Sequence, residues 1–267
     1  MKNIYFLCFI VFVSSMIFIC LCKKKNNTKY TGNNTEKNTL FTCTTFLSKP
    51  NKYNELDRAL STFLSNYDGE SIREYLVINE YSEEDTSEMI ETLRNKYPMI
   101  TFMNKKKNQQ GQANSLNIII DYLKKHKYKY WIRWEESWYT IRPFFNEAYN
   151  IMETTSIDQL QFTENFKDIP SHRVKVKDKH LEIKKRDSYP DYWIGEKDDN
   201  WPLFSLRPGI DRVSTILKVG YFNNSKDKWP ITFEYDYSLD WVQVGKKGVL
   251  KDYSVTRNHD HQSTYSI

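Results

Sequence analysis

Two adjacent carboxylates, Glu135 and Glu136, end an apolar and aromatic run that begins at Tyr130. Such a run is typical of a buried strand, and the charges mark the point where the strand reaches solvent. Holding like charges together at that point is unfavourable, because they repel each other and lose hydration, unless a cation or a charged substrate compensates this cost. The pair indicates a site for a divalent cation, although this segment taken alone is better explained as a solvated turn.

Two further segments have residue types suited to binding anions or metals. Gly111 precedes a predicted helix, where glycine permits a close backbone approach and the free N–H groups of the first turn attract anions. Near the carboxy terminus, His259 and His261 lie in a polar segment whose composition suits contact with phosphate or metal. The alternatives are an ordinary loop at the glycine and a frayed chain end at the histidines.

The elements that must position these residues alternate between strands and helices. Apolar runs predict four strands, and three segments with apolar residues at helical spacing separate them. This alternation predicts a parallel sheet of right-handed β-α-β units, in which ligands bind beyond the carboxyl ends of the strands. The predicted strands are 40–46, 74–79, 98–103 and 128–134, and the intervening helices carry Leu56 and Leu60, Ile90 and Leu93, and Ile119 and Leu123.

After Pro143 the pattern is less regular. An alternation of basic and apolar residues over 173–179 fits one arm of an edge hairpin. The other predicted elements are a helix over 144–152, strands over 158–162 and 203–210, and helices over 213–219 and 233–244.

The composition is that of a folded protein without a dedicated nucleic-acid-binding function. Of its 267 residues, 39% are hydrophobic and 15% aromatic, which is ample for a core. The net charge of +5 is modest, and Lys and Arg are scattered among Asp and Glu rather than gathered into one stripe. We interpret basic runs such as 105–107 as solvated loops.

The amino-terminal residues 4–22 form an uncharged run of the ~20 residues that cross a bilayer as a helix. No small-residue cleavage site follows the run, so we expect a retained membrane anchor rather than a signal peptide. The Asn-, Thr- and Lys-rich residues after it have the composition of a tether. The predicted organisation is a membrane anchor over 1–25, a flexible linker over 26–39 and a catalytic domain over 40–267.

Charge and cysteine usage predict a single-pass protein whose domain is cytosolic. Three lysines follow the anchor directly, whereas only Lys2 precedes it, which favours a cytosolic domain by the positive-inside rule. Cys43 is alone in the soluble part, so no intramolecular disulfide forms there, in keeping with a reducing compartment. Glycosylation sequons at Asn26, Asn33 and Asn223 keep a lumenal location open.

The order of these segments over most of residues 40–265 resembles glycosyltransferase family 2, a group of GT-A enzymes that transfer a sugar from a nucleotide donor with inversion. The resemblance implies an α/β fold with a mixed, mainly parallel central sheet flanked by helices. It implies a nucleotide-sugar donor and a carbohydrate or glycoconjugate acceptor. The resemblance also implies that the donor is bound at the first two strand ends, at the start of the helix after Gly111 and before the acceptor helix. The residues at these places are Thr44, Thr45, Asn79, Glu80, Gly111, Asn114 and Arg207.

The segment around Glu135 and Glu136 is similar to the acidic metal motif of this family, in which two carboxylates hold a divalent cation on the diphosphate. Ser137 stands in place of the usual last acid. The resemblance implies Mn²⁺ or Mg²⁺ held by both glutamates, with His259 or His261 completing the metal shell. The serine leaves the dependence on metal open.

Residues 233–241 resemble the acidic segment that opens the acceptor helix of the family, where one acid is the general base. An inverting transfer needs a carboxylate within reach of the acceptor hydroxyl, opposite the leaving diphosphate. Asp236 is the first candidate and Glu234 the second. Acids near a helix start are also favoured by the helix dipole alone.

Two other functions fit parts of this pattern. A catalytically inactive relative that binds a sugar or a partner through the same fold is suggested by Asn79 and Ser137. A nucleotidyltransferase is a third possibility, but it needs a glycine-rich basic phosphate loop near the first strand, which residues 49–52 do not provide.

Overall fold

Strands and helices alternate through the first half of the domain in the computed structural model, as the hydrophobic pattern predicts. The structure describes residues 37–49, 51–163, 183–184, 192–195, 204–224, 230–250 and 254–257. The strands are β1 (Thr39–Thr45), β2 (Ile72–Asn79), β3 (Ile100–Asn104), β4 (Tyr130–Glu135), β5 (Trp138–Thr140), β6 (Gln159–Gln161), β7 (Ile183–Lys184), β8 (Tyr192–Gly195), β9 (Gly209–Arg212), β10 (Lys247–Leu250) and β11 (Val255–Arg257). The helices are α1 (Lys52–Asn66), α2 (Ser87–Lys96), α3 (Gln112–His126), α4 (Phe145–Thr154), α5 (Val213–Val219) and α6 (Pro230–Trp241).

The described strands form one large sheet with the order β3-β2-β1-β4-β9-β6-β10-β8-β7 and a separate β11-β5 ribbon. The first four strands of this order pair in parallel, whereas β9 and β8 run against their neighbours. The sheet is therefore mixed and mainly parallel, which confirms the predicted fold class.

Helices cover both faces of the sheet, because alternate residues of each buried strand supply a separate apolar core. Phe41 and Cys43 belong to the core under α1, α2 and α4, whereas Leu40 packs in the core under α3, α5 and α6. Cys43 lies in β1 between β2 and β4 and is fully buried. Burial first, and then the charges of Glu136 and Glu135, raise the pKa of its thiol.

The predicted strand over 203–210 is wrong, since the strand here is β9 and begins only at Gly209. The backbone N–H of Ser205 donates to Gln159 Oε1 at 3.1 Å, and that of Leu206 donates to Glu234 Oε1 at 2.8 Å. Pro208 has no N–H to donate. The segment before β9 therefore bonds to side chains instead of joining the sheet.

Five short strands, β5, β7, β8, β10 and β11, are absent from the sequence-based prediction. The predicted anchor over 4–22 and the predicted hairpin arm over 173–179 lie outside the described residues. Within the described ranges, no helix combines the length and apolar character needed to cross a membrane.

Candidate active site

The carboxyl ends of β1, β2 and β4 meet at one edge of the sheet, as predicted. Thr45 lies opposite Asn79, and Thr44 lies opposite Glu135. Side chains alternate along a strand, so Thr44 shares the face of Glu135, whereas Thr45 and Asn79 share the opposite face with Cys43. Only the first of the two predicted threonines is on the side of the carboxylate.

Asn79 is buried, and its amide is used within the fold. Its Oδ1 accepts the N–H of Leu47 at 3.0 Å, and its Nδ2 donates to Thr86 Oγ1 at 3.3 Å and to Asn104 Oδ1 at 3.1 Å. These bonds join the loop after β1, the start of α2 and the end of β3. The amide of Asn79, which is predicted to bind the donor, instead joins parts of the fold at the edge of the sheet.

Glu80 forms a buried ion pair with Lys105, whose Nζ lies 2.8 Å from one carboxylate oxygen and 2.9 Å from the other. The same ammonium donates to Gly111 O at 2.8 Å and to Ser115 Oγ at 2.9 Å. Burial lowers the pKa of Lys105, and Glu80 opposes that shift. The interpretation of residues 105–107 as solvated is therefore wrong at Lys105, which fixes the start of α3.

Helix α3 begins beside Glu135. Gly111 has a φ of +97°, which favours glycine, and no side chain caps the helix at this residue. Gln112 Nε2 donates to Glu135 Oε1 at 2.8 Å, and Asn114 donates to Gln110 O at 2.7 Å. The N–H groups of the first turn therefore face the strand edge without a side-chain acceptor at the cap.

Acids from distant parts of the chain converge near Glu135. Burial raises the pKa of Glu135 to about 7; the charge of Glu136 adds to the rise, Arg257 opposes it, and Glu234 adds a smaller increment. The charge of Glu234 on α6 thus contributes to the raised pKa of Glu135 at the end of β4. Of the two acids predicted as the base, Glu234 is the one whose charge acts on Glu135, and the catalytic roles of both acids stay predictions.

Glu136 is buried in an ion pair with Lys52 of α1, with an N–O distance of 2.9 Å, and Lys52 also lies 2.8 Å from Glu55. The side chain of Glu136 is only 2% exposed. Glu135 is the last residue of β4, whereas Glu136 lies in the turn that follows, where Lys52 binds it. Glu136 is therefore unavailable as a metal ligand, a correction to the predicted pair.

Glu234 and Asp236 project from different sides of α6, since two residues turn an α-helix by about 200°. Glu234 accepts the N–H of Leu206 at 2.8 Å on the side that contains the buried Trp241. Asp236 is half-buried, on the side that contains the exposed Leu239. Of the two candidate bases, Glu234 is the one directed at the sheet.

Three cations surround Glu234. Burial raises the pKa of this carboxyl, and after the Leu206 N–H the charges of Arg133, Lys247 and Arg207 oppose the rise. Arg133 of β4 forms an ion pair with Asp211 of β9, but its Nη1 has no hydrogen-bond partner among the described residues. Burial, followed by the charge of Arg207, lowers the pKa of Lys247 to about 7. The predicted Arg207, which is half-buried, thus belongs to a basic cluster beside Glu234.

The β11-β5 ribbon brings the carboxy-terminal part of the chain to this edge. Arg257 lies opposite Trp138, and its guanidinium carbon is 5.5 Å from the centre of a Trp138 ring. Arg257 also opposes the rise in the pKa of Glu135. His259 and His261 lie outside the described residues, so their roles stay predictions.

The arrangement is similar to that of several solved structures. No protein-family model matches the sequence, and no curated protein does. Residues 1–349 of TarS from S. aureus match 82% of this chain with a TM-score of 0.53 and 15% identity. GalNAc-T7, solved with UDP, GalNAc and Mn²⁺, matches 86% with a TM-score of 0.58 and 9% identity. The chain has the GT-A glycosyltransferase fold.

The mannosyltransferase PcManGT from Pyrobaculum calidifontis, solved with GDP-Man and Mn²⁺, has the same fold. It matches 91% of the chain with a TM-score of 0.53 and 10% identity. The chain spans 59% of the TarS fragment, 46% of the GalNAc-T7 chain and 67% of the PcManGT chain. At these identities the GT-A fold is what the proteins share, and the nucleotides and Mn²⁺ are those of the neighbours.

The described residues of this GT-A domain do not fit the predicted set of metal ligands. Glu136 is held by Lys52, and Ser137 is buried and neutral. Across the described ranges, no three His, Cys, Asp or Glu side chains are grouped so that they could hold a metal. Glu135 is the one acid of the predicted motif on the side of Glu234.

Sequence reasoning did not single out Lys105, Lys247 or Arg133. A signal was present for Lys105, because it directly follows β3 at the carboxyl edge of the predicted parallel sheet. Arg133 also interrupts an otherwise apolar strand, which is unusual unless the charge has a partner. Lys247 lies in a strand of four residues, too short to be recognised from its pattern.

The ion pair of Glu80 and Lys105 gives a prediction about stability. Lys105→Met leaves a carboxylate buried without its cation, and should lower the free energy of unfolding by about 3–5 kcal/mol. Lys107→Met is the matched control, because its pair with Glu83 is 72% and 77% exposed, and it should cost no more than about 1 kcal/mol. Urea unfolding measures both. Equal losses in the two variants would contradict a buried, coupled pair.

Lys247 gives a second prediction, on the pH dependence of stability. Its folded pKa of about 7 lies below the ordinary 10.5, so between these values the unfolded chain binds more protons and stability rises with pH. Lys247→Met should raise the free energy of unfolding at pH 7 by about 1–4 kcal/mol. It should also flatten the rise above pH 7. A variant less stable than wild type in urea unfolding at pH 7 would oppose this account.

Proposed function

We propose that this protein is a glycosyltransferase that moves a sugar from a nucleoside-diphosphate donor to an acceptor hydroxyl and inverts the anomeric carbon. The observation that carries the proposal is the GT-A fold, in which the charge of Glu234 on α6 contributes to the raised pKa of Glu135 at the carboxyl edge of the sheet. Inversion requires a base on the sugar face opposite the leaving diphosphate. A carboxylate on α6, separate from the strand ends that face the donor, can occupy that side.

The donor lies over the ends of β1 and β4 and against the start of α3. Thr44 and Glu135 share one face of the sheet at this edge. The uncapped first turn of α3 offers N–H groups to the diphosphate, and the buried Lys105 holds that turn in place through Gly111 O. The neighbouring structures solved with UDP, UDP-GlcNAc and GDP-Man support this class of donor.

Glu234 acts as the general base and takes the proton of the acceptor hydroxyl as its oxygen attacks the anomeric carbon. Burial raises the pKa of Glu234 toward the range in which a carboxylate accepts a proton efficiently. The charges of Arg133, Lys247 and Arg207 oppose that rise in the pKa of Glu234. We include in the proposal a membrane anchor over residues 4–22 and a cytosolic domain.

Binding of nucleotides tests the function directly. We expect one class of nucleoside diphosphate or its sugar derivative to raise the melting temperature of the protein, because a ligand at 100 times its Kd stabilises the folded state by about 2.7 kcal/mol. The measurement is a thermal-shift screen, followed by release of the nucleoside diphosphate in the presence of candidate acceptors. Binding without any transfer or hydrolysis would favour the catalytically inactive relative, and no binding would reject the donor site.

Substitution of the two candidate bases tests the mechanism. Glu234→Gln should lower kcat by about 10²–10⁴ because it removes the proton acceptor. Asp236→Asn, the matched control on the other side of α6, should lower kcat less than about tenfold. Nucleotide affinity should be retained in both. The reverse order of losses would assign the base to Asp236.

A further inference from the structure

The segment that resembles a metal motif presents a single carboxylate to the donor edge. Glu136 pairs with Lys52, which also pairs with Glu55, and all three side chains are buried. Turning Glu136 toward a metal would take one partner from a buried ammonium, which is unfavourable. Ser137 is 4% exposed and carries no charge. The diphosphate needs another source of positive charge beside Glu135.

Arg257 lies at that place. It is opposite Trp138 in the β11-β5 ribbon, and its guanidinium carbon is 5.5 Å from the centre of a Trp138 ring. Trp138 is itself tied to β4, because its carbonyl accepts the indole N–H of Trp134 at 2.9 Å. The ribbon therefore holds Arg257 next to the end of β4, where Glu135 begins the exposed edge.

The Arg257 guanidinium is available for a ligand. The side chain is half-buried, and within the described part of the chain it makes no hydrogen bond and no ion pair. The N–H donors of a guanidinium match two phosphate oxygens in a planar, bidentate arrangement. Stacking on the indole restricts the side chain before the ligand binds, which lowers the entropy lost on binding.

We propose that the Arg257 guanidinium, instead of a divalent metal ion, supplies the positive charge beside the leaving diphosphate. The proposal rests on the glycosyltransferase function above. As the bond from the anomeric carbon to the diphosphate oxygen breaks, its electron pair passes to that oxygen, and Arg257 stabilises the added charge. The acceptor oxygen forms the new bond, and its proton goes to Glu234.

Calorimetric titration of the full chain with UDP and with GDP tests this inference, first in excess EDTA and then with Mn²⁺. We expect the wild-type Kd for the nucleoside diphosphate that binds to be the same in both conditions. Arg257→Met should weaken that Kd at least about tenfold in EDTA, because charge-assisted bonds to phosphate are lost. The affinity for the corresponding nucleoside, which has no phosphate, should not change. Arg257→Lys should retain an intermediate affinity.

Arg58→Met is the matched control. The Arg58 guanidinium of α1 stacks on Tyr139, the next residue of β5, at 4.1 Å. The variant therefore removes an arginine that stacks on the same ribbon and that is not among the charges acting on Glu135. It should bind as wild type. Wild-type binding that disappears in EDTA, or an Arg257→Met variant with unchanged affinity for the diphosphate, would overturn the inference and leave the proposed function standing. Failure of UDP, GDP, ADP and CDP to bind in either buffer would remove both.

Discussion

The cost of burying an unpaired charge decides which acids at the sheet edge remain available for chemistry. Three buried pairs of the described chain, Glu80 with Lys105, Glu136 with Lys52 and Asp211 with Arg133, hold their carboxylates within the fold. Removing one partner of such a pair is strongly unfavourable, so these acids are fixed where they are. Glu135 and Glu234 are outside these three pairs, and the proposed reaction uses Glu234 as its base.

The same pairs hold together elements that the sheet alone does not position. Lys105 joins the end of β3 to the start of α3 through Gly111 and Ser115. Lys52 joins the start of α1 to the turn after β4. Each cation thus fixes a loop at the carboxyl edge, where a parallel sheet places its ligands. Rigid loops at that edge keep a donor in one orientation.

The central strands could be predicted from the sequence because a parallel strand buried on both faces needs a continuous apolar run. β1 to β4 have such runs, and their parallel pairing followed from the alternation with helices. β5, β10 and β11 could not be predicted, because strands of three or four residues show no period and depend on distant partners. The segment before Gly209 looked like a strand, yet side chains from β6 and α6 bind its N–H groups.

The residues at the site could be predicted better than their roles. Strand ends pointed to Thr44, Asn79, Glu80 and Glu135, but the sequence does not say which neighbour satisfies each side chain. Lys105 and Lys52 come from other elements, so the loss of Glu80 and Glu136 to ion pairs depended on tertiary contacts. The choice between the two acids of α6 was accessible in principle. Phe233, Tyr237 and Trp241 recur at helical spacing and define the buried side, to which Glu234 is adjacent and Asp236 is not.

The position of Cys43 makes the chain its own reporter of local opening. The thiol lies in β1 between two parallel strands and has no exposed surface. An alkylating reagent reaches it only after β1 separates from a neighbour or from the helices above it. Its raised pKa also favours the thiol over the thiolate in the native state, and the thiol is the less reactive of the two forms. The rate of alkylation at Cys43 therefore reports how often the strands that carry Thr44 and Glu135 separate, and the measurement needs no introduced label.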